Sequence, residues 1–161
     1  MNDVHRGLLI LSLLTFALAS GVARADSDPE SHVAQLNLGA DYWSTGTSIF
    51  SATVSLRGYF TPRLSIGGRA GALVTTSSSN NGSNSNNGNV GIPLDLQVRG
   101  RLAVFYLEGL AGPWLLINSN SVVRAHVAAG GGLEIGPFSA GLEMGYLDPA
   151  AVLGVRLGLG F

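Results

Sequence analysis

Few side chains in this sequence are equipped for acid–base chemistry. Beyond residue 25 there are two histidines, His32 and His126, and cysteine is absent throughout. Thiolate nucleophiles, disulfides and thiolate metal sites are therefore excluded. Catalysis needs a nucleophile beside a base, or two titrating groups in mutual reach. His32 precedes the first periodic segment and reads as solvated. Nothing in the spacing brings His126 together with Asp41 and Glu143 as a metal-ligand set. Of the nine acids and seven arginines beyond residue 25, five acids, Asp41, Asp95, Glu108, Glu134 and Glu143, and six arginines, Arg57, Arg69, Arg99, Arg101, Arg124 and Arg156, fall on one parity of the periodic segments. Carboxylates and guanidinium groups in near balance point to ion pairing, since arginine's planar fork suits a desolvated carboxylate. The expectation is a protein that is not an enzyme, with no cofactor and no metal.

Composition sets the elements that must position these charges. Of 161 residues, 46% are hydrophobic and 12% charged, which is apolar for one soluble domain of this size. Every basic residue is arginine, and the net charge of −1 offers no basic patch for nucleic acid. Residues 1–25 have the layout of a cleaved secretory signal peptide. Arg6 leads into an apolar run from Gly7 to Ala19, and Ala23, Arg24 and Ala25 give a small-x-small cleavage pattern. That run is too short to span a bilayer as a helix, which takes roughly 20 residues. Residues 26–32 read as a short periplasmic N-terminal segment.

From residue 33 to 161 the chain alternates with period two, the signature of strands. Eight strands are predicted, near 33–43, 48–60, 63–75, 90–102, 104–116, 122–136, 138–147 and 152–161. One parity carries residues such as Leu36, Leu38, Val54, Leu94, Leu96, Leu107, Val127, Leu142 and Leu157. The other carries the acids and arginines named above, with Gln35, Asn37, Gln97 and His126. Short links at 61–62, 103–104 and 136–137 alternate with longer ones, of which residues 75–89, rich in Ser, Asn and Gly, read as a disordered outward loop.

Alternation leaves open which face is inside. A soluble lipocalin-like barrel turns its apolar face inward, whereas a membrane barrel turns it to lipid. Aromatics near the strand ends favour lipid: Tyr42, Trp43, Trp114 and Tyr146 at one end, Tyr59, Phe60, Phe105 and Phe138 at the other, as two girdles. The expected fold is an all-β, eight-stranded antiparallel up-and-down transmembrane β-barrel. A two-residue turn at Ala103-Val104 sets Arg99 opposite Glu108, and centring the 148–151 loop sets Glu143 opposite Arg156. Glycines at 130, 132, 141, 145, 154, 158 and 160 leave one inner wall nearly bare. They either line a narrow pore or make room for arginines from the opposite wall.

The final strand, "VLGVRLGLGF", carries the most specific resemblance. Leu153, Val155, Leu157, Leu159 and Phe161 alternate up to an aromatic. In this the chain resembles the small eight-stranded outer-membrane barrels, the group of the OmpA transmembrane domain, OmpX and the opacity-type adhesins. The resemblance implies a bacterial outer-membrane location, contact with outer-membrane lipids, and recognition of those five residues by the barrel-assembly machinery. Some outer-membrane barrels, the lipid A deacylases, use a His-x-Ser pair facing the bilayer. Here the stretch is "HVA", with Ala128 in the serine's place and His126 on the polar face. The function expected is structural or surface-interacting, with a largely plugged lumen and an unidentified surface ligand. A small pore and a soluble periplasmic binding barrel are the alternatives.

Overall fold

The computed structural model describes residues 33–77, 88–117 and 122–161. The expectations for the signal peptide, the segment 26–32 and most of the outward loop fall outside these residues. Eight strands form: β1 (Ala34–Trp43), β2 (Thr47–Thr61), β3 (Leu64–Ser77), β4 (Val90–Leu102), β5 (Phe105–Ile117), β6 (Val123–Ile135), β7 (Phe138–Leu147) and β8 (Ala150–Gly160). Each pairs antiparallel with its neighbour in sequence, and β8 pairs with β1, so the sheet closes. Closure leaves no strand edge with unpaired backbone. The β3 strand runs on to Ser77, so residues 75–77 belong to the wall and not to the loop.

Turn chemistry explains the short links. Gly136 in the β6–β7 turn has φ 57°, and Gly46 in the β1–β2 turn has φ 89°, conformations that glycine adopts without steric cost. In the β2–β3 turn the Thr61 hydroxyl accepts hydrogen bonds from the backbone N–H of Arg63 and of Leu64, at 3.2 and 3.0 Å. The links 62–63, 103–104 and 136–137 share one end of the barrel with residues 33 and 161, here the turn end. The opposite end is the loop end.

The two parities face opposite ways. Leu38, Leu96, Leu107, Leu142, Met144 and Leu157 are exposed on the outer surface, with Leu96 at 70%. Inside lie buried Gln35, Asn37, Asp41, Thr53, Ser55, Arg57, Arg69, Asp95, Arg99, Glu108, His126, Glu143 and Arg156. A lipocalin-like barrel has the reverse arrangement, with its apolar face inward. Following paired residues around the wall from Trp43 through Val152, Gly145, Ala128, Leu110, Gln97, Gly67 and Arg57 returns to β1 at Val33. The ten-residue stagger slants the strands, and it brings side chains from distant sequence positions to one level of the lumen.

Candidate functional site

The lumen contains two ionic clusters beneath an apolar cap. In the middle of the barrel, Arg69 on β3 bridges two carboxylates. Its Nη2 donates to Asp95 at 2.8 Å and its Nη1 to Glu143 at 2.7 Å. Arg156 on β8 donates through Nη2 to Glu143 at 2.9 Å and through Nη1 to Asp41 at 2.6 Å. Glu143 is thus held by guanidinium groups from two sides. Asp95 also accepts from the Trp114 indole N–H at 3.1 Å, and its Oδ1 lies 2.8 Å from His126 Nδ1.

The second cluster lies toward the turn end. Arg99 reaches Glu108 at 3.0 Å, Glu134 at 2.8 Å and the Gln35 side-chain oxygen at 3.1 Å. The same Gln35 oxygen accepts from Arg57 at 2.8 Å, and Gln97 donates to Glu108 at 2.6 Å. Arg101 reaches Glu134 at 3.3 Å. The Arg99 guanidinium also lies 3.9 Å from the centre of the Tyr106 ring. Multiple partners per charge are what a desolvated ion requires, because a lone buried charge is strongly destabilising.

Arg124 stands apart from both clusters. It lies at the loop end, 5.0 Å from the centre of the Trp43 ring, and donates to the Asp148 carbonyl at 2.6 Å. Of the two pairs expected from turn geometry, Arg99 stands directly across from Glu108. Glu143 does not face Arg156. The β7–β8 link is only Asp148-Pro149, so Leu147 pairs with Ala150, Glu143 faces Gly154 and Arg156 faces Gly141. The slip of two residues preserves parity, and the long Arg156 side chain still reaches Glu143 diagonally.

The aromatic rings divide differently from the two expected girdles. Tyr42, Phe50 and Tyr146 are exposed near the loop end, and Phe60, Phe105, Phe138 and Phe161 near the turn end. Trp43 and Trp114 face inward instead, with Trp114 only 1% exposed, and Tyr106 is buried beneath Arg99. Tyr59 shares the parity of Arg57 and is half-buried. The physical reason is parity: position 43 follows Asp41 by two residues, and position 114 follows Glu108 by six. The outward sides of β8, Leu153, Val155, Leu157, Leu159 and Phe161, are all exposed.

The two tryptophans belong to a feature that alternation alone did not disclose. Trp43, Ile49, Leu73, Trp114, Leu116, Leu147 and Val152 form one buried apolar cluster inside the loop end. The Trp43 indole donates to the Leu147 carbonyl at 2.9 Å, so its polar atom is satisfied. The inner parity is therefore polar only over part of the wall. The signal was present in the sequence, since Ile49, Leu73, Leu116, Leu147 and Val152 all share the parity of the lumen charges.

The glycine-lined wall is occupied by side chains of other strands. A Cβ at Gly154 would collide with the Asp41 carboxylate, one at Gly141 with the Tyr106 hydroxyl, and one at Gly158 with Gln35 and Ser139. At Gly130 it would crowd Glu108 at 3.2 Å. These nearest occupants come from β1, β5 and β7, while the expected arginines of the opposite wall, Arg69 on β3 and Arg99 on β4, reach this side at Glu143 on β7 and Glu134 on β6. Gly39, on β1, makes room for an arginine of the neighbouring strand, Arg156. Among the described residues no group of three His, Cys, Asp or Glu side chains is arranged to hold a metal ion.

These features define the class: a closed eight-stranded antiparallel β-barrel with an apolar exterior and a buried ion-paired interior. No protein-family model and no curated protein matches the chain. Two solved structures are similar in fold. One comes from the de novo design of transmembrane β-barrels, with TM-score 0.60 and 12% identity, covering 85% of this chain and 100% of that one. The other is the solution NMR structure of the de novo designed TMB2.3, with TM-score 0.56 and 14% identity, covering 84% of this chain and 98% of that one.

Proposed function

We propose that this protein is a non-enzymatic β-barrel of the bacterial outer membrane, with a sealed lumen and a structural or surface-interaction role at its loop end. The observation that carries the reading is the outer surface. A belt of exposed Leu, Val, Ile and Met, interspersed with Ala and Gly, runs around the wall, bounded by Tyr42, Phe50 and Tyr146 above and by Phe60, Phe105, Phe138 and Phe161 below. In water such a surface drives aggregation; in a bilayer it is the expected lipid contact, with rings at both interfaces. That the similar designed barrels are transmembrane supports the same placement. The alternating β8 residues ending in Phe161 support delivery by the barrel-assembly machinery, and no nucleic-acid or cofactor partner is part of the proposal.

The lumen serves as a rigid filling. Ion pairs reach across it from β3 to β7 and from β4 to β6, and the apolar cap fills the loop end. That cap weighs against the pore alternative, since an apolar constriction repels ions. Fractionation tests the reading: the protein is expected in the outer membrane, released by detergent and silent in single-channel recordings. Recovery in the soluble periplasm would refute the membrane placement, and a steady conductance would refute the sealed lumen.

A further inference from the structure

The two ends of the lumen are finished differently. At the loop end Trp43, Ile49, Leu73, Trp114 and Leu116 fill the interior with apolar side chains, in the one buried apolar cluster among the described residues. At the turn end the interior reaches the mouth as charge. Arg57 and Arg99 converge on a single neutral oxygen, Gln35 Oε1, at 2.8 and 3.1 Å. Arg101 is the most exposed of the group, with its side chain 20% accessible beside Glu134. Its backbone N–H donates to the carbonyl of Arg63, in the exposed β2–β3 turn, at 2.7 Å.

Charge does not balance at this end. Among the described residues, four guanidinium groups, on Arg57, Arg63, Arg99 and Arg101, stand against two carboxylates, Glu108 and Glu134. Like charges gathered at a low-dielectric mouth repel, and an added anion relieves them. The chain carries its own candidate. Asp26, Asp28 and Glu30 precede β1, with His32 the one basic side chain between them and the wall. These three acids lie outside the described residues, but their point of attachment does not. The Val33 carbonyl accepts from the Arg57 backbone N–H at 2.8 Å, two residues before Gln35. An extended chain advances at most about 3.6 Å per residue, which keeps Glu30 within about 11 Å of Val33 and Asp28 within about 18 Å. So short a tether holds the segment at an effective concentration on the order of millimolar, an advantage that a free anion lacks.

We propose that the acidic segment 26–32 docks at the turn-end mouth of the lumen, its carboxylates set against Arg57, Arg63 and Arg101, as an ionic stopper opposite the apolar cap. Guanidinium forks suit this occupant, because each offers several donors to a carboxylate that arrives from a tether. Docking requires only the closed barrel, so its test is independent of cellular location.

The chain has no cysteine, so Ser27→Cys provides a single site for a nitroxide label. With the labelled barrel folded in zwitterionic detergent at low salt, the electron paramagnetic resonance spectrum is expected to contain an immobilised component. That component is expected to be lost in about 1 M salt, where screening acts within about 3 Å. It is also expected to be lost when Asp26→Asn, Asp28→Asn and Glu30→Gln are combined, a change that leaves the wall untouched. Arg101→Gln is expected to reduce it in a barrel whose heat-modifiable mobility shows that it has folded. A fully mobile label at low salt, or an immobilised component that survives neutralisation of the three acids, would overturn the proposal. So would retention of phosphatidylglycerol over phosphatidylcholine to the same extent with and without those acids, which would give the mouth to lipid headgroups.

Discussion

The Arg156 guanidinium on β8 lies 2.6 Å from the Asp41 carboxylate on β1, across the seam where the last strand meets the first. The same guanidinium holds Glu143 on β7 at 2.9 Å. One side chain thus ties three consecutive strands of the closed wall. Backbone pairing continues the seam to its end, where the Phe161 N–H donates to the Ala34 carbonyl at 2.9 Å.

Replacing Arg156 with Leu removes the clamp while leaving Asp41 and one side of Glu143 buried without a counter-ion. Breaking a buried pair in this way costs about 3–5 kcal/mol. The variant is expected to unfold at lower urea concentration and to lose its heat-modifiable mobility on gels at lower temperature. Mobility and unfolding equal to wild type would remove the clamp from this account.

Glycine positions separate sharply by what lies above them. Gly154→Ala drives a methyl group into the Asp41 carboxylate, whereas nothing lies within 4 Å of a Cβ at Gly109. Overpacking costs about 1–3 kcal/mol, so Gly154→Ala is expected to be destabilising. Gly109→Ala is expected to be neutral or to stabilise by about 0.4–1 kcal/mol, through loss of freedom in the unfolded chain. Equal effects on the unfolding midpoint would contradict the packing described.

Both tryptophans point into the barrel, and this has an optical signature. In vesicles containing brominated acyl chains, emission from Trp43 and Trp114 is expected to be weakly quenched, because the wall separates the rings from lipid. Girdle tryptophans would be quenched strongly, and that outcome would restore them to the outer surface.

A charge on the belt distinguishes lipid from water. Leu96→Arg, near the middle of β4, is expected to lose about 2–4 kcal/mol in a bilayer, whereas Ile117→Arg, at the end of β5, is expected to lose no more than about 1 kcal/mol. Unfolding from vesicles reads the difference. An indifferent Leu96→Arg would mean that the belt does not face hydrocarbon.

Much of this fold was legible because alternation is a local signal. The Ala103-Val104 turn places Arg99 across from Glu108 by counting alone, and the wall obeys that count. Where counting needs the length of a turn, it slips: at Asp148-Pro149 the link is two residues shorter than the four that centring assumed, and Glu143 moves from Arg156 to Gly154. The cross-lumen contacts were beyond reach for a different reason. Arg69 meets Glu143, and Arg99 meets Gln35, only after the sheet has closed with its particular stagger. The apolar cap was readable in principle from the parity of Ile49, Leu73 and Leu147. It was masked because tryptophan near a strand end also suits a membrane interface, and residue type outweighed parity.

The bare wall of β6–β8 gives the two halves of the barrel opposite tolerances to change. Strands β1 and β5 supply much of the volume, through Asp41, Gln35, Tyr106 and Glu108, while glycines on β6, β7 and β8 act as the mould that receives it. Trimming a side chain on the first set leaves a void that a neighbouring glycine cannot fill, and enlarging a glycine on the second expels a charge that has nowhere else to go. Diversification of the interior is therefore a paired affair: a larger residue at Gly154 becomes acceptable only in a chain that has first given up Asp41.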